Sequence, residues 1–157
     1  MNYQLTTLRT TSNDPLFTKL FDQLEFELEL MYPSVQEEYK QFNLYDEPIN
    51  VILLFHNGQA VGCGAFKRLR KTNWAELKRI FILQQFRGSG YSEILINALE
   101  KWASELHYDS CVLETGIRMH AAMSAYRKMA YQIVPNFQPY LDKPHSICMR
   151  KKLASVV

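Results

Sequence analysis

A chain of 157 residues with 47% hydrophobic and 22% charged side chains can bury a core without disulfides or a metal, and one domain over residues 1–157 is expected. The formal net charge of +2 is too small to mark a nucleic-acid binder, and no apolar run approaches membrane-spanning length, so neither nucleic acid nor a membrane is expected as a partner. Cys63, Cys111, Cys148 and the four histidines lack ligand spacing, so no metal is expected. The odd cysteine count and the absence of a signal-like start fit a reducing cytoplasm.

Residues 1–10 alternate weakly and predict a first strand. Ser12-Asn13-Asp14-Pro15 has the chemistry of a helix start, a capping side chain followed by proline. Leu16, Leu20, Leu24, Leu28 and Met31 then recur at helical spacing, with Phe17, Phe21 and Glu25 on the neighbouring stripe. Tyr32-Pro33-Ser34 breaks this helix, and residues 35–42 suit a shorter second one. The acidic residues of this region, Glu25, Glu27, Glu29, Glu37 and Glu38, read as a solvated face or as a wall that attracts a cation.

Residues 48–66 predict a hairpin, with Asn57-Gly58 as the turn signal and glycines in the second strand that suit bulges or a close backbone approach. Lys67, Arg68, Arg70 and Lys71 read as loop cations. Residues 74–83 form the next strand. Simple alternation places Glu76, Lys78, Ile80 and Ile82 on one face and Leu77, Arg79, Phe81 and Leu83 on the other. Polar at its start and apolar at its end, this strand suits the border of a cleft, with Glu76 as its carboxylate.

Gln85-Phe86-Arg87-Gly88-Ser89-Gly90 follows, and then an amphipathic helix over residues 91–106. Strand, glycine turn and helix is the geometry in which main-chain N–H groups converge on a phosphate. The Walker loop is excluded because Tyr91-Ser92 replaces its Lys and hydroxyl residue, and the dinucleotide fingerprint is excluded because only two glycines are present. An ordinary turn with two permissive glycines is the competing reading. Residues 111–113 suit a buried strand ending in Glu114-Thr115-Gly116, which completes a parallel strand–helix–strand unit whose ligand edge carries the loop. Residues 121–129 predict a helix bearing Tyr126, residues 133–140 a proline-broken rim loop, and residues 145–153 a last strand.

These residues together resemble the GNAT family of N-acetyltransferases. The loop at residues 85–90 matches the family's Gln/Arg-x-x-Gly-x-Gly/Ala pattern without a gap. Ala75-Glu76-Leu77-Lys78-Arg79-Ile80-Phe81-Ile82, Leu113-Glu114-Thr115-Gly116, Ala125-Tyr126-Arg127-Lys128-Met129-Ala130-Tyr131 and Pro135-Asn136-Phe137-Gln138-Pro139-Tyr140 resemble the neighbouring family segments, so the likeness covers about residues 60–140. It implies an α/β fold with a mixed central sheet splayed between its fourth and fifth strands, flanked by helices, with acetyl-CoA as cosubstrate. It assigns Arg87, Gly88, Ser89, Gly90, Tyr91 and Ser92 to the pyrophosphate, with Gln85 opening the motif, and the backbone of Ile80 and Ile82 to the pantetheine arm. Tyr126 is implied as general acid to the leaving thiolate and Glu76 as a general base toward a primary amine of a small molecule or peptide. Homodimers are common in the family. Two departures stand out: Ala130-Tyr131 replaces the usual Gly-Phe, and Met119-His120 replaces an Asn early in that helix. The rival reading is a non-catalytic acyl-CoA-binding or interaction module on the same fold.

Overall fold

The computed structural model describes residues 2–31, 33 and 48–154, so the short helix expected over residues 35–42 lies outside the described residues. In chain order the elements are strand β1 (Leu5–Thr11), helix α1 (Pro15–Met31), strands β2 (Asn50–His56), β3 (Gln59–Arg68) and β4 (Trp74–Ile82), a 3-10 turn (Gln84–Phe86), helix α2 (Tyr91–Glu105), strand β5 (Ser110–Gly116), helix α3 (His120–Lys128), and strands β6 (Gln132–Val134) and β7 (Ser146–Lys152). Asp14 caps α1 as expected, its Oδ1 accepting the Leu16 N–H at 2.9 Å. Asn57 (φ 49°) and Gly58 (φ 80°) both adopt the left-handed conformation that a tight turn between β2 and β3 requires.

The strands form one sheet in the order β1-β2-β3-β4-β5-β7-β6. Among the described strands only β4 and β5 pair in parallel, so the sheet is mixed, as the resemblance implied. A core on the α2 side gathers Val61, Phe66, Leu77, Leu95, Leu99 and Leu113. A smaller one on the α1 side gathers Phe17, Leu20, Val51, Leu53, Cys63 and Phe81. Gly64 lets α2 lie close on the sheet, because a Cβ there would stand 2.7 Å from Leu99 Cδ1.

Two irregularities shape the middle of the sheet. The parallel register of β4 with β5 covers Trp74↔Ser110, Ala75↔Cys111 and Glu76↔Val112 and then ends, so the strands part beyond Glu76. This is the splay expected between the fourth and fifth strands. On its other side β4 carries one extra residue: β3 advances from Cys63 to Ala65 while β4 advances from Lys78 to Phe81. Arg79, at φ 61°, absorbs the difference as a bulge. The bulge corrects the simple alternation read from the sequence. Ala75 and Leu77 face the α2 side before it, and Ile80 and Ile82 face that side after it. Glu76 and Lys78 therefore do not share a face with Ile80 and Ile82. Residues 133–140 are also not wholly loop, since β6 pairs with β7 from Gln132↔Arg150 to Val134↔Cys148.

The Gly-to-Ala departure sits at a residue with φ 74°, so Ala130 holds a conformation that favours glycine. Left-handed alanine costs roughly 1–2 kcal/mol, and the extra unfolded-state entropy of glycine offsets roughly 0.4–1 kcal/mol of any gain. Ala130→Gly should therefore raise stability by about 0.5–1 kcal/mol, read as a higher urea midpoint with an unchanged slope.

Candidate active site

The parting strands open a cleft of about 200 Å³. Its lining includes residues 76–80 of β4, residues 113–116 of β5, Met119, Ala122 and Tyr126 at and along α3, Leu24 and Leu28 from α1, and Tyr140 and His145 from the segment before β7. The sequence placed Glu76, Ile80 and Tyr126 at one site, and all three line this cleft.

Glu76 is buried at 3% exposure, deeper than a surface carboxylate. Its Oε2 accepts the Tyr140 hydroxyl at 3.2 Å and lies 3.6 Å from the Lys78 ammonium. Burial lowers the proton affinity of Lys78 while the Glu76 charge raises it, and the net direction is down. Across the opening, burial raises the proton affinity of Glu114, opposed by the Ser146 hydroxyl that donates to its Oε2 at 2.7 Å. Burial, with the Glu76 and Glu114 charges beside it, also keeps the Tyr140 phenol protonated far beyond its ordinary range. Sequence reasoning placed Glu114 at the ligand edge but missed Lys78, Tyr140 and Ser146 as its companions. A signal was present in Tyr140, which ends the Pro135–Tyr140 stretch. That stretch is folded back by Asn136, whose Nδ2 donates to the carbonyls of Tyr140 and Ser146 at 3.1 Å each.

Tyr126 projects from α3 with its ring edge-on to Tyr131, centroids 6.0 Å apart. Burial, reinforced by the Glu114 charge, pushes its phenol up to about 12. It thus keeps its proton throughout the neutral range and can donate it.

The loop after β4 is built for backbone exposure. Gly88 (φ 82°) and Gly90 (φ 83°) are left-handed, and a Cβ added at either would meet nothing within 4 Å. The sequence read these glycines as making room for a ligand; the structure shows that the backbone conformation demands them as well. Gly90 is the N-cap of α2 and supplies no side-chain cap, so the first-turn amides of Tyr91 and Ser92 have no such acceptor. Gln85 lies within the 3-10 turn, and Ser89 stands between the two glycines. Arg87 is not aimed along the loop. Its Nε donates to the Ile82 carbonyl at 2.7 Å, and its guanidinium grips both carboxylate oxygens of Glu27 on α1 at 2.9 and 3.0 Å. Leu83 N–H bonds the Val61 carbonyl at 2.8 Å, so by strand alternation the peptide groups of Ile80 and Ile82 face away from β3. His120 is the exposed first residue of α3. Among the described residues, no group of three or more His, Cys, Asp or Glu could hold a metal ion, and no helix is long and apolar enough to cross a membrane.

The Glu76–Lys78 pair yields a stability prediction. Glu76→Gln takes the carboxylate charge away from a buried ammonium and should cost about 3 kcal/mol at neutral pH. Lys78 ordinarily titrates at 10.5 and is shifted down in the fold, so its deprotonated form is the one folding favours. Losing Glu76 lowers it further. The deficit against wild type should therefore shrink as pH rises toward 10.5, and Glu76→Gln/Lys78→Met should recover most of it. Urea unfolding of the three proteins across that pH range checks both claims.

Residues 14–131 match the Acetyltransferase (GNAT) family. An IAA acetyltransferase of Azospirillum brasilense is 27% identical over 136 residues, 86% of this chain and 89% of its own length. A solved acyl-CoA N-acyltransferase structure from Klebsiella pneumoniae superposes with a TM-score of 0.81 at 30% identity, covering 96% of this chain and 99% of that one. A GNAT acetyltransferase of Elizabethkingia anophelis, solved with acetyl-CoA bound, shares the fold at a TM-score of 0.68 and 18% identity, covering 95% of this chain and 98% of that one. With a sheet splayed at β4 and β5, a glycine loop at the start of α2 and a family match over most of its length, the chain belongs to the GNAT acetyltransferase family.

Proposed function

We propose that the protein transfers an acetyl group from acetyl-CoA to a primary amine by direct attack. The observation that supports this reading is the opening between β4 and β5, whose lining includes Ile80 on the strand edge and Tyr126 on α3. A pantetheine arm laid along β4 would pair with the peptide groups of Ile80 and with the N–H of Ile82 as an added strand, the Ile82 carbonyl being held by Arg87. The pyrophosphate would lie on the turn formed by Gln85, Arg87, Gly88, Ser89 and Gly90 and on the amides of Tyr91 and Ser92, where the start of α2 favours negative charge. Arg87 would contribute mainly through its backbone, because Glu27 already balances its side-chain charge. The fit is supported by the Elizabethkingia relative, whose structure holds acetyl-CoA.

The amine must first lose a proton, since only its neutral form carries a lone pair. Glu76 is the proposed acceptor of that proton, through water, as its carboxylate is buried and held by Tyr140 and Lys78. The amine then attacks the thioester carbonyl, the C–S bond breaks toward sulfur, and Tyr126 gives its proton to the departing thiolate. Of the two protons the ammonium loses overall, one ends on the thiol and one reaches solvent.

Thermal unfolding with acetyl-CoA at about 100 times its dissociation constant should show roughly 2.7 kcal/mol of stabilisation. Gly88→Asp should abolish that rise, by placing a charged side chain where the backbone is left-handed. Tyr126→Phe should retain the rise but lower CoA release with an accepted amine by about 10²- to 10³-fold. Because the Tyr126 phenol is pushed up to about 12, its acid role should impose no alkaline fall in rate until pH approaches that value. Equal turnover in Tyr126→Phe would remove the acid assignment. Absence of acetyl-CoA stabilisation in wild type would favour a different ligand.

A further inference from the structure

Both ends of the glycine loop rest on one side chain that lies outside it. His56 ends β2, and its Nδ1 is 2.7 Å from the hydroxyl of Tyr91, the first residue of α2. The same imidazole lies 5.0 Å, centroid to centroid, from Phe86, the last residue of the 3-10 turn. Its ring also stacks on Tyr3 at 5.0 Å and 23°. The stretch carrying Tyr3 is itself pinned to the hairpin: Gln4 N–H donates to Asn57 Oδ1, and Asn57 N–H to the Gln4 carbonyl, both at 2.8 Å.

We infer that His56 is a positioning residue for the acetyl-CoA loop, clamping Phe86 and Tyr91 so that residues 87–90 present their backbone to the pyrophosphate; this rests on the cofactor reading above. The loop needs such a clamp. Gly88 and Gly90 have no side chains to pack, and nothing within 4 Å of their Cβ positions constrains them. Two glycines lose much conformational freedom when a ligand orders them, and that loss weakens binding unless the loop ends are already held. Tyr91 is buried at 5% exposure, so its ring is packed, and its hydroxyl finds partners in the His56 imidazole and the Tyr3 phenol.

The test is acetyl-CoA titration calorimetry on the full chain, with unfolding temperature measured alongside. His56→Phe keeps a stacking ring and removes the hydrogen bond; its acetyl-CoA dissociation constant should rise about five- to tenfold, the worth of one such bond. Tyr91→Phe, which preserves the packed ring, should give a similar rise. The double variant should lose no more than Tyr91→Phe alone, because that change already removes the bond to His56. His56→Asn, whose amide reaches close to the position of Nδ1, should recover most of the affinity. Folded His56→Phe and Tyr91→Phe proteins that bind acetyl-CoA within twofold of wild type would overturn the clamp, even with lowered unfolding temperatures, since a merely structural role predicts that pattern. Failure of wild type to bind acetyl-CoA would instead overturn the loop assignment beneath it.

Discussion

The parting of β4 from β5 after three paired residues is the constraint on which the rest of the molecule depends. An opened sheet exposes peptide groups that must be satisfied, and each strand must stay anchored on its far side. β5 remains in register with β7 from Ser110↔Lys152 to Gly116↔Ser146, and β4 remains paired with β3 through Gly62↔Ile82. The bulge at Arg79 lies within that second anchorage, and bulges increase local strand twist. It bends β4 where the partner on its other edge has left. It also exchanges the faces of the strand, so that the acidic and basic residues before it and the apolar residues after it serve different layers. Ile82 keeps its carbonyl satisfied through Arg87, which ties the opened edge to the loop and, by way of Glu27, to α1.

The floor of the opening is polar because its walls arrive from separate parts of the chain. Glu76 and Lys78 come from β4, Glu114 from β5 and Tyr140 from the segment before β7, while Ser146 at the start of β7 supports Glu114. Burial pushes Lys78 and Glu114 in opposite directions, each toward its neutral form. Glu76 and Lys78 face one another as a charge pair, which offsets part of that penalty. The cleft therefore has proton-exchanging groups without a large excess of charge. That suits a reaction whose acceptor enters as an ammonium and leaves as a neutral amide. Leu24 and Leu28 give the opposite wall an apolar surface, so the acidic character noted along α1 does not describe the face it turns to the cleft.

Local chemistry in the sequence was a good guide where one short segment decides its own geometry. Asp14 before Pro15, Asn57-Gly58 between strands, and the apolar stripe of α2 all fold as residue types demand. The bulge was not legible because Arg79 is not a residue that advertises a positive φ; pairing with β3, not local preference, holds it there. The β4 faces were misread for that reason alone. Contacts across long sequence separations were equally hidden. Tyr140 reaches Glu76 across 64 residues, Arg87 reaches Glu27 across 60, and Tyr91 reaches His56 across 35. The glycine loop could be read as a candidate phosphate turn from its own residues, whereas the role proposed for Tyr126 came only from the family resemblance.

The departure at Ala130-Tyr131 shows how a changed motif can retain its structural task. The left-handed turn persists at Ala130 (φ 74°) although the glycine that would adopt it freely is gone. Tyr131 fills the buried aromatic position, and its added hydroxyl donates to Glu100 Oε2 at 2.8 Å, while Lys151 holds the other oxygen of Glu100 at 2.9 Å. A phenylalanine would bring no hydroxyl, so Glu100 and Lys151 are the local accommodation of the substitution. The same turn bears on the candidate acid, because the Tyr131 and Met129 N–H groups both bond the Tyr126 carbonyl, at 3.0 and 3.1 Å. The end of α3 is therefore closed on the residue whose side chain lines the cleft, and strain at Ala130 is held by contacts that also fix Tyr126.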